Sequence, residues 1–328
     1  MVSIEFSDVG RKIFMIVNTP RVSVLMSVYN GRRYLDSTIA SVLDQSFADF
    51  ELIVVDDCSQ DDTKDVLEGF SRNDSRIKLL KNEHNLGLTK SLNIGLKRAR
   101  GEYIARIDNG DLWSGNKLTK QIDYFMDRHD LLLLGTQAIC LDDNGLEIGT
   151  RRFPIEDREI RLWLIKCQNP FLHSSVVFRN RYLYDEQYYT SQDLALWTRV
   201  FFDGRMANLN DVCVYYRISR EAVSYKRRAI QIYNSYNIYK DFSDALTINQ
   251  RVSTKGRSNW VSDRHQLEKP KKLFAYVNYL ANKLKNNNVG AGVFLAAISY
   301  LLSPRLFLIK LMLKYATRMN YKRYTQWH

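Results

Sequence analysis

The stretch that decides the fold occupies residues 105–111 and reads Ala105-Arg106-Ile107-Asp108-Asn109-Gly110-Asp111. An apolar run from Tyr103 to Ile107 ends in two carboxylates three residues apart. This pattern predicts a buried strand that stops at a surface edge and leaves acidic side chains there. In open α/β sheets, ligands bind beyond the carboxyl ends of strands. Carboxylates at such a place suit Mg²⁺ or Mn²⁺, which in turn binds a diphosphate. The alternative is a solvated acidic turn.

Three more apolar runs precede this stretch, at residues 22–28, 51–55 and 77–80. Apolar residues at helical spacing lie between each run and the next, around residues 35–43, 66–70 and 88–99. Strands that alternate with helices predict an α/β protein with a mostly parallel central sheet, covered by helices on both faces.

The pattern after residue 111 is less regular. It predicts helices around residues 118–126, 160–164 and 194–201, strands at 131–134, 174–178 and 212–216, and a turn at 142–145.

Charge divides the chain of 328 residues unevenly. The net charge is +12, yet residues 251–328 carry 15 basic and only two acidic residues, which leaves −1 for the first 250 residues. A nearly neutral body with a basic tail bears on the binding partners of the protein and not on its fold.

The four cysteines show no C-x-x-C spacing, which argues against a zinc site or a redox-active cysteine pair and fits a reducing compartment. The first residues do not have the pattern of a signal peptide.

Residues 22–224 resemble a family 2 glycosyltransferase with the GT-A fold. The segments that carry the resemblance are residues 24–31, 54–59, 85–96, 101–108 and 169–175, then Asp193 with Leu196-Trp197, and Tyr216-Arg217 with Ser224. The resemblance implies a Rossmann-like GT-A catalytic domain at residues 1–222, followed by a basic helical C-terminal region at residues 223–328.

The resemblance also implies a nucleotide-sugar site. Asp57 would accept the N3–H of uracil, and Ser27 and Tyr29 would line the base pocket. Lys90 matches a position that faces the diphosphate, and Asp108 matches a carboxylate that contacts both nucleotide-sugar and metal. The structural alternatives are a turn carboxylate for Asp57 and a solvated helix lysine for Lys90.

The acidic stretch departs from the family pattern Asp-x-Asp-Asp, because Gly110 stands where a metal-binding carboxylate is usual. We expect a divalent cation, Mn²⁺ or Mg²⁺, held by Asp108 and by Asp111 through a shifted turn, since glycine permits unusual backbone angles. The alternatives are weak metal binding and lost activity.

Asp193 matches the catalytic base of the family, with Gln192 in place of the usual glutamate. Transfer with inversion needs one carboxylate that removes the proton of the acceptor hydroxyl as its oxygen attacks the anomeric carbon. The alternative for Asp193 is a helix N-cap. His173 either contacts the acceptor, the diphosphate or the metal, or is a packed structural residue.

The tail carries two amphipathic patterns, at residues 271–285 and after Pro304, where Lys310, Lys314 and Arg318 recur every four residues. A basic amphipathic helix predicts binding to an anionic membrane surface. The alternative is a helical extension that packs on the body or joins a homo-oligomer. No nucleic-acid-binding motif is found.

These features predict an inverting glycosyltransferase, of hexosyl or N-acetylhexosaminyl type, at the cytoplasmic face of the cell membrane. Its donor would be a nucleotide-sugar, expected to be a UDP-sugar, and its acceptor a lipid-linked glycan or polysaccharide, as in bacterial surface-polysaccharide synthesis. The second hypothesis is a degenerate GT-A domain that serves as a binding or scaffold subunit. A dinucleotide-dependent oxidoreductase is disfavoured because no G-x-G-x-x-G follows the first strand.

Overall fold

The structure, a computed structural model, describes residues 19–219 and 228–253. The strands are β1 (Val22–Val28), β2 (Phe50–Asp56), β3 (Ile77–Lys81), β4 (Tyr103–Arg106), β5 (Leu112–Trp113), β6 (Leu131–Leu141), β7 (Glu147–Arg151), β8 (Val177–Arg179) and β9 (Arg205–Arg217). The helices are α1 (Arg32–Leu43), α2 (Thr63–Asn73), α3 (Leu88–Leu96), α4 (Lys117–Phe125), α5 (Asp157–Ile165), α6 (Gln192–Asp203) and α7 (Arg228–Ser253). All the strands belong to one sheet, in the spatial order β3-β2-β1-β4-β8-β6-β9-β5, with β7 paired to β6.

The first four strands of this order are parallel, as the sequence predicts. Every residue of β1 and β2 is buried, and successive side chains enter opposite faces of the sheet. Val24 and Leu52 therefore pack in one core, while Leu25 and Ile53 pack in the other. A strand buried on both faces is expected to be mostly apolar, and both strands are. Their buried polar residues Ser23 and Glu51 form a hydrogen bond with each other at 2.7 Å.

Helices cover both faces. The core on one face includes side chains of α1, α2 and α4, and the core on the other includes side chains of α3, α5, α6 and α7. Helix α3 lies especially close to the sheet at Gly95, where an added Cβ would come 2.3 Å from the Leu25 side chain. These layers hold the carboxyl ends of β1, β2 and β4 at one edge of the molecule.

The second half of the sheet is mixed rather than parallel. Strand β8 is antiparallel to both β4 and β6, β7 is antiparallel to β6, and β5 is antiparallel to β9. The turn predicted at residues 142–145 joins β6 directly to β7, and a short connection of this kind permits only antiparallel pairing. Strands β5 and β7 were not predicted, because β5 is too short and β7 too exposed to appear in the sequence as an apolar run.

Beyond residue 222, the described chain continues as α7, which packs on α6. Ile238 and Phe242 are buried in the core, and the Phe242 ring contacts Phe201 at 4.9 Å between centroids. The predicted domain boundary falls within residues 220–227, and the predicted amphipathic helices fall beyond residue 253; both lie outside the described residues. Within the described ranges, no helix combines the length and the apolar character needed to cross a membrane.

Candidate active site

Five predicted site residues follow the carboxyl ends of parallel strands. Ser27 is the next-to-last residue of β1 and is buried, whereas Tyr29, just after β1, is 49% exposed. Asp57 follows β2, and Asp108 follows β4 by two residues. Lys90 is an exposed residue in the first turn of α3, which follows β3. These positions form the edge at which an open α/β sheet binds its ligands.

The carboxylate of Asp57 organises the loop that precedes α3. Its Oδ1 accepts hydrogen bonds from Asn82 Nδ2 and from the backbone N–H of Leu86, each at 2.8 Å. Its Oδ2 accepts one from the N–H of Gly87, also at 2.8 Å. Asp57 is only 2% exposed. Oδ1 has filled both of its acceptor sites, whereas Oδ2 accepts one hydrogen bond and retains a second site for a uracil N–H.

The loop after β1 is tied to the loops after β2 and β4. The backbone N–H of Asn30 donates to Ser59 Oγ at 3.0 Å, and that of Gly31 donates to Thr63 Oγ1 at 2.9 Å. From the other side, Asn109 Nδ2 donates to the carbonyl oxygen of Gly31 at 2.8 Å. The three loops therefore form one connected edge, and Tyr29 lies within it.

The predicted acidic turn, residues 108–111, is held by Ser174. The N–H of Asp108 donates to Ser174 Oγ at 2.9 Å, and this hydroxyl also contacts Asp108 Oδ2 at 3.2 Å and Asp111 Oδ2. A hydroxyl has one proton, so it donates to one carboxylate at a time. Arg106 is completely buried and forms an ion pair with Asp108 Oδ1.

Their surroundings shift the pKa values of Asp108 and Asp111 in opposite directions. Burial would raise the pKa of Asp108, but the charge and the hydrogen bond of Arg106 act against burial, and the pKa lies below its usual value. Burial, and next the charge of Asp108, raise the pKa of Asp111 to about 7. Asp108 is therefore ionised at neutral pH, while Asp111 is only partly so.

His173 lies between the acidic turn and a tyrosine. Its Nε2 is 2.8 Å from the hydroxyl of Tyr184, and its Nδ1 is 3.8 Å from Asp108 Oδ2. Burial, and next the charge of Arg106, lower the pKa of His173 to about 4, so its ring is neutral. The structure thus places a packed His173 next to Asp108.

Asp193 is the second residue of α6, and its Oδ2 accepts a hydrogen bond from Asn169 Nδ2 at 3.0 Å. Its charge acts on both His173 and Tyr184. Asp193 also lines a pocket of about 210 Å³. Cys167, Asn169, Ser191 and Leu194 line one side of this pocket, and Gln231, Ser235 and Tyr239 of α7 line the other.

The residues present do not fit the metal site that the sequence predicts. Asp111 is 3% exposed, and both its oxygens are engaged, Oδ1 by the N–H of Arg217 at 2.9 Å and Oδ2 by Ser174. Gly110 has no side chain, and Asp108 shares its carboxylate with Arg106. Among the described residues, no three His, Cys, Asp or Glu side chains converge as ligands for a cation. Asp111 therefore does not replace the missing carboxylate.

Several residues that shape this site were not predicted. The ion pair of Arg106 was missed although the residue lies in the decisive stretch, because a charged residue inside an apolar run gives no sign of its partner. The residues of α7 that face Asp193 were missed because they are about 40 positions away in the sequence. Asn169 and Ser174 lie in a segment that resembles the family, but only the fold reveals that they contact Asp193 and Asp108.

The amino-acid sequence is similar to those of known glycosyltransferases. Residues 23–187 match the family model for glycosyl transferase family 2. The UDP-Glc:alpha-D-GlcNAc-diphosphoundecaprenol beta-1,3-glucosyltransferase WfgD of Escherichia coli is 30% identical over 228 residues, covering 67% of this chain and 86% of WfgD. TuaG of Bacillus subtilis (strain 168), named for teichuronic acid biosynthesis, is 32% identical over 209 residues, covering 62% of this chain and 82% of TuaG.

Solved structures show the same fold at lower identity. The mannosyltransferase PcManGT from Pyrobaculum calidifontis, determined with GDP-Man and Mn²⁺, gives a TM-score of 0.54 at 17% identity, covering 90% of this chain and 87% of that one. TarS 1–349 of S. aureus, determined with UDP-GlcNAc, gives a TM-score of 0.51 at 20% identity, covering 83% of this chain and 82% of that one. The predicted GT-A fold is confirmed. Because residues 23–187 match the family model and WfgD is 30% identical over 67% of this chain, the chain belongs to glycosyl transferase family 2.

Proposed function

We propose that this glycosyltransferase transfers a sugar, with inversion, from a UDP-sugar to a hydroxyl of a lipid-diphosphate-linked glycan. One observation carries the proposal. Asp193, the expected base, faces an open pocket and acts electrostatically on His173, whose ring lies 3.8 Å from the expected donor residue Asp108. The expected donor-binding carboxylate thus adjoins a histidine on which the charge of the expected base also acts.

The choice of donor and acceptor draws on the relatives. WfgD and WfaP of Escherichia coli are both named as enzymes that use UDP-Glc and a GlcNAc-diphosphoundecaprenol acceptor. Both are 30% identical to this chain. They support a nucleotide-sugar donor and a lipid-linked acceptor here. A panel of UDP-sugars decides whether the sugar is a hexose or an N-acetylhexosamine.

The residues have separate roles in this reaction. Asp57 would bind the uracil N3–H, with Ser27 and Tyr29 around the base, and Lys90 and Asp108 would face the remainder of the donor. The acceptor oxygen attacks the anomeric carbon, the bond from that carbon to the diphosphate oxygen breaks, and Asp193 takes the hydroxyl proton. Asn169 orients the carboxylate of Asp193 through their hydrogen bond. No enzyme nucleophile takes part, because the displacement is direct.

The same proposal covers location. The acceptor is attached to a lipid, so the enzyme would work at the inner face of the cell membrane as a peripheral protein. The excess of basic residues beyond residue 250 supplies an attraction to anionic lipid. A homo-oligomer formed through the C-terminal helices is the competing use of that region.

A second candidate function is favoured by Gly110. A GT-A domain without the usual third acidic residue could bind nucleotide and assemble with other enzymes without turnover. The experiment that separates the two is UDP release from a panel of UDP-sugars with a lipid-diphosphate-linked acceptor. Acceptor-dependent release that Asp193→Asn abolishes supports the enzyme, whereas UDP binding without release supports the scaffold.

A further inference from the structure

The third position of the acidic turn lacks a carboxylate although there is space for one. Gly110 has a φ of +105°, and a Cβ added there would lie 3.5 Å from the Tyr34 ring and 3.9 Å from Arg217 Cδ. Both distances are ordinary van der Waals contacts, so no neighbour has moved in to occupy the position. A Cβ at this position would therefore meet no steric obstacle, although the positive φ strains any residue other than glycine.

Asp111 is poorly placed to take over this role, because it is only 3% exposed and both of its carboxylate oxygens already accept a hydrogen bond. Its Oδ1 accepts from the backbone N–H of Arg217 at 2.9 Å, and its Oδ2 accepts from Ser174, whose hydroxyl also fixes the N–H of Asp108. A cation at either oxygen would have to enter a place that is closed to solvent. Both carboxylate oxygens belong to the scaffold of the turn.

Asp108 is the one carboxylate of the turn that faces outward, with a side chain that is 37% exposed. Its Oδ1 is paired with Arg106, a buried and permanently charged guanidinium. A cation that bound both oxygens would have to displace that guanidinium. A cation that bound only Oδ2 would lie close to a positive charge that repels it.

The charge of the whole turn leads to the same conclusion. Two carboxylates, Asp108 and Asp111, adjoin two guanidinium groups, Arg106 and Arg217. The Arg217 Nε donates to the carbonyl oxygen of Gly110 at 3.1 Å, which places this second positive charge against the turn itself. Two negative and two positive groups give the turn little attraction for a divalent ion, and they do not repel an anionic diphosphate.

We infer that the nucleotide site of this chain works without a divalent cation at the acidic turn, because protein guanidinium groups already occupy the electrostatic role of the ion there. The inference rests on the proposed function, since it presupposes a nucleoside diphosphate at this edge. It departs from what the acidic pattern predicts, and it assigns the departure to Gly110 and to the Arg106–Asp108 ion pair.

The first test is calorimetric titration of the full chain with UDP, once with Mn²⁺ and once with EDTA. We expect the two dissociation constants to agree within about fivefold, or about 1 kcal/mol. A larger loss of affinity in EDTA would overturn the inference while leaving the proposed function intact. No UDP binding under either condition would instead remove the proposed function and the inference together.

The second test uses the matched pair Gly110→Asp and Gly110→Asn, which are equal in size and equally strained at this φ. Only the aspartate adds a carboxylate. Bound Mn²⁺, measured by electron paramagnetic resonance in the presence of UDP, should appear in Gly110→Asp and be absent from both Gly110→Asn and the unaltered protein. Stoichiometric Mn²⁺ in the unaltered protein, or equal behaviour of the two variants, would overturn the inference. Because the first test uses the unaltered chain, it stands even if a variant fails to fold.

Discussion

Asp57 combines the predicted recognition of uracil with support of the loop before α3, so its substitution has two effects. Asp57→Ala removes the acceptor of three partly buried donors, and we expect a loss of about 1–3 kcal/mol in the free energy of unfolding. It should also weaken UDP binding at least about tenfold, since each tenfold is about 1.4 kcal/mol. Thermal melts and calorimetric titration measure the two effects separately.

Asn82→Ala is the control for Asp57. It removes one of the three hydrogen bonds to the carboxylate but leaves the carboxylate in place. UDP affinity should then be close to that of the unaltered protein, with a smaller loss of stability. If Asn82→Ala loses UDP binding to the same extent as Asp57→Ala, the loop and not the carboxylate is responsible.

Asp193 is expected to act only in the chemical step. Asp193→Asn keeps an oxygen that can accept the hydrogen bond from Asn169, so the fold and UDP affinity should be unchanged. Turnover should fall by about a hundredfold or more, the scale of general-base assistance. Asp203→Asn makes the same chemical change at the other end of α6, where the carboxylate accepts a hydrogen bond from Tyr182, and it should leave turnover unaffected. Near-normal turnover of Asp193→Asn would move the search to another carboxylate.

At the scale of elements, α4 begins with a buried lysine. Lys117 is fully buried, donates to Gln121 Oε1 at 2.7 Å, and lies 3.9 Å from the centre of the Trp113 ring. Burial lowers the pKa of Lys117 to about 7, and the effect of Cys213 in the opposite direction is smaller. The unfolded chain, with a pKa near the ordinary 10.5, therefore binds more protons than the folded chain between pH 7 and pH 10.5.

It follows that the contribution of Lys117 to stability rises with pH across this window. Between pH 7 and pH 9 the unaltered protein should gain on the order of 1–2 kcal/mol relative to Lys117→Met. Chemical denaturation at the two pH values measures the difference. Lys120→Met, on the same helix but with a half-exposed side chain paired to Asp211, should show the pH dependence of the unaltered protein. Parallel curves for Lys117→Met and the unaltered protein would show that Lys117 does not titrate in this range.

The elements also show how far the sequence predicts this molecule. The alternation of apolar runs and helical stripes before residue 111 predicts β1 to β4 and their parallel pairing, because β1, β2 and β4 are buried along their whole length and β3 is a short apolar run at the edge of the sheet. The same rules fail for β5 and β7. Strand β5 has only two residues, and β7 is a largely exposed segment without a regular alternation of apolar and polar residues. The site follows the same division. Chain position places Asp57 and Asp108 at the strand ends, but burial of Asp111 and the partnership of Arg106 with Asp108 depend on contacts far apart in sequence.

At the scale of the whole molecule, charge separates a neutral body from a basic tail. The first 250 residues carry −1 and residues 251–328 carry +13, so attraction to anionic lipid should come from the tail. Each Lys or Arg near such a surface contributes about 1 kcal/mol, and salt screens this attraction over about 10 Å. Apolar residues of the two amphipathic patterns should add binding that resists salt.

Vesicle flotation at low and high salt tests this. The full chain should float with vesicles that contain anionic lipid, and salt should release only part of it. A variant that ends at residue 253 retains α7 and should stay in solution while still binding UDP. Lys310→Glu with Lys314→Glu should weaken flotation, whereas Lys64→Glu with Lys78→Glu, the same charge change on exposed positions of the body, should not. Equal flotation of the full and shortened chains would remove the tail as the anchor, and loss of a dimer on truncation would assign it to oligomerisation.

The central claim is that this family 2 glycosyltransferase turns over a UDP-sugar at the edge formed by Asp57, Asp108 and Asp193. The most direct measurement is UDP release from a panel of UDP-sugars, with and without a lipid-diphosphate-linked glycan, for the unaltered protein and for Asp193→Asn. The account predicts acceptor-dependent release from at least one donor, with most of it lost in Asp193→Asn. UDP binding without release from any donor would contradict the claim and favour the scaffold function.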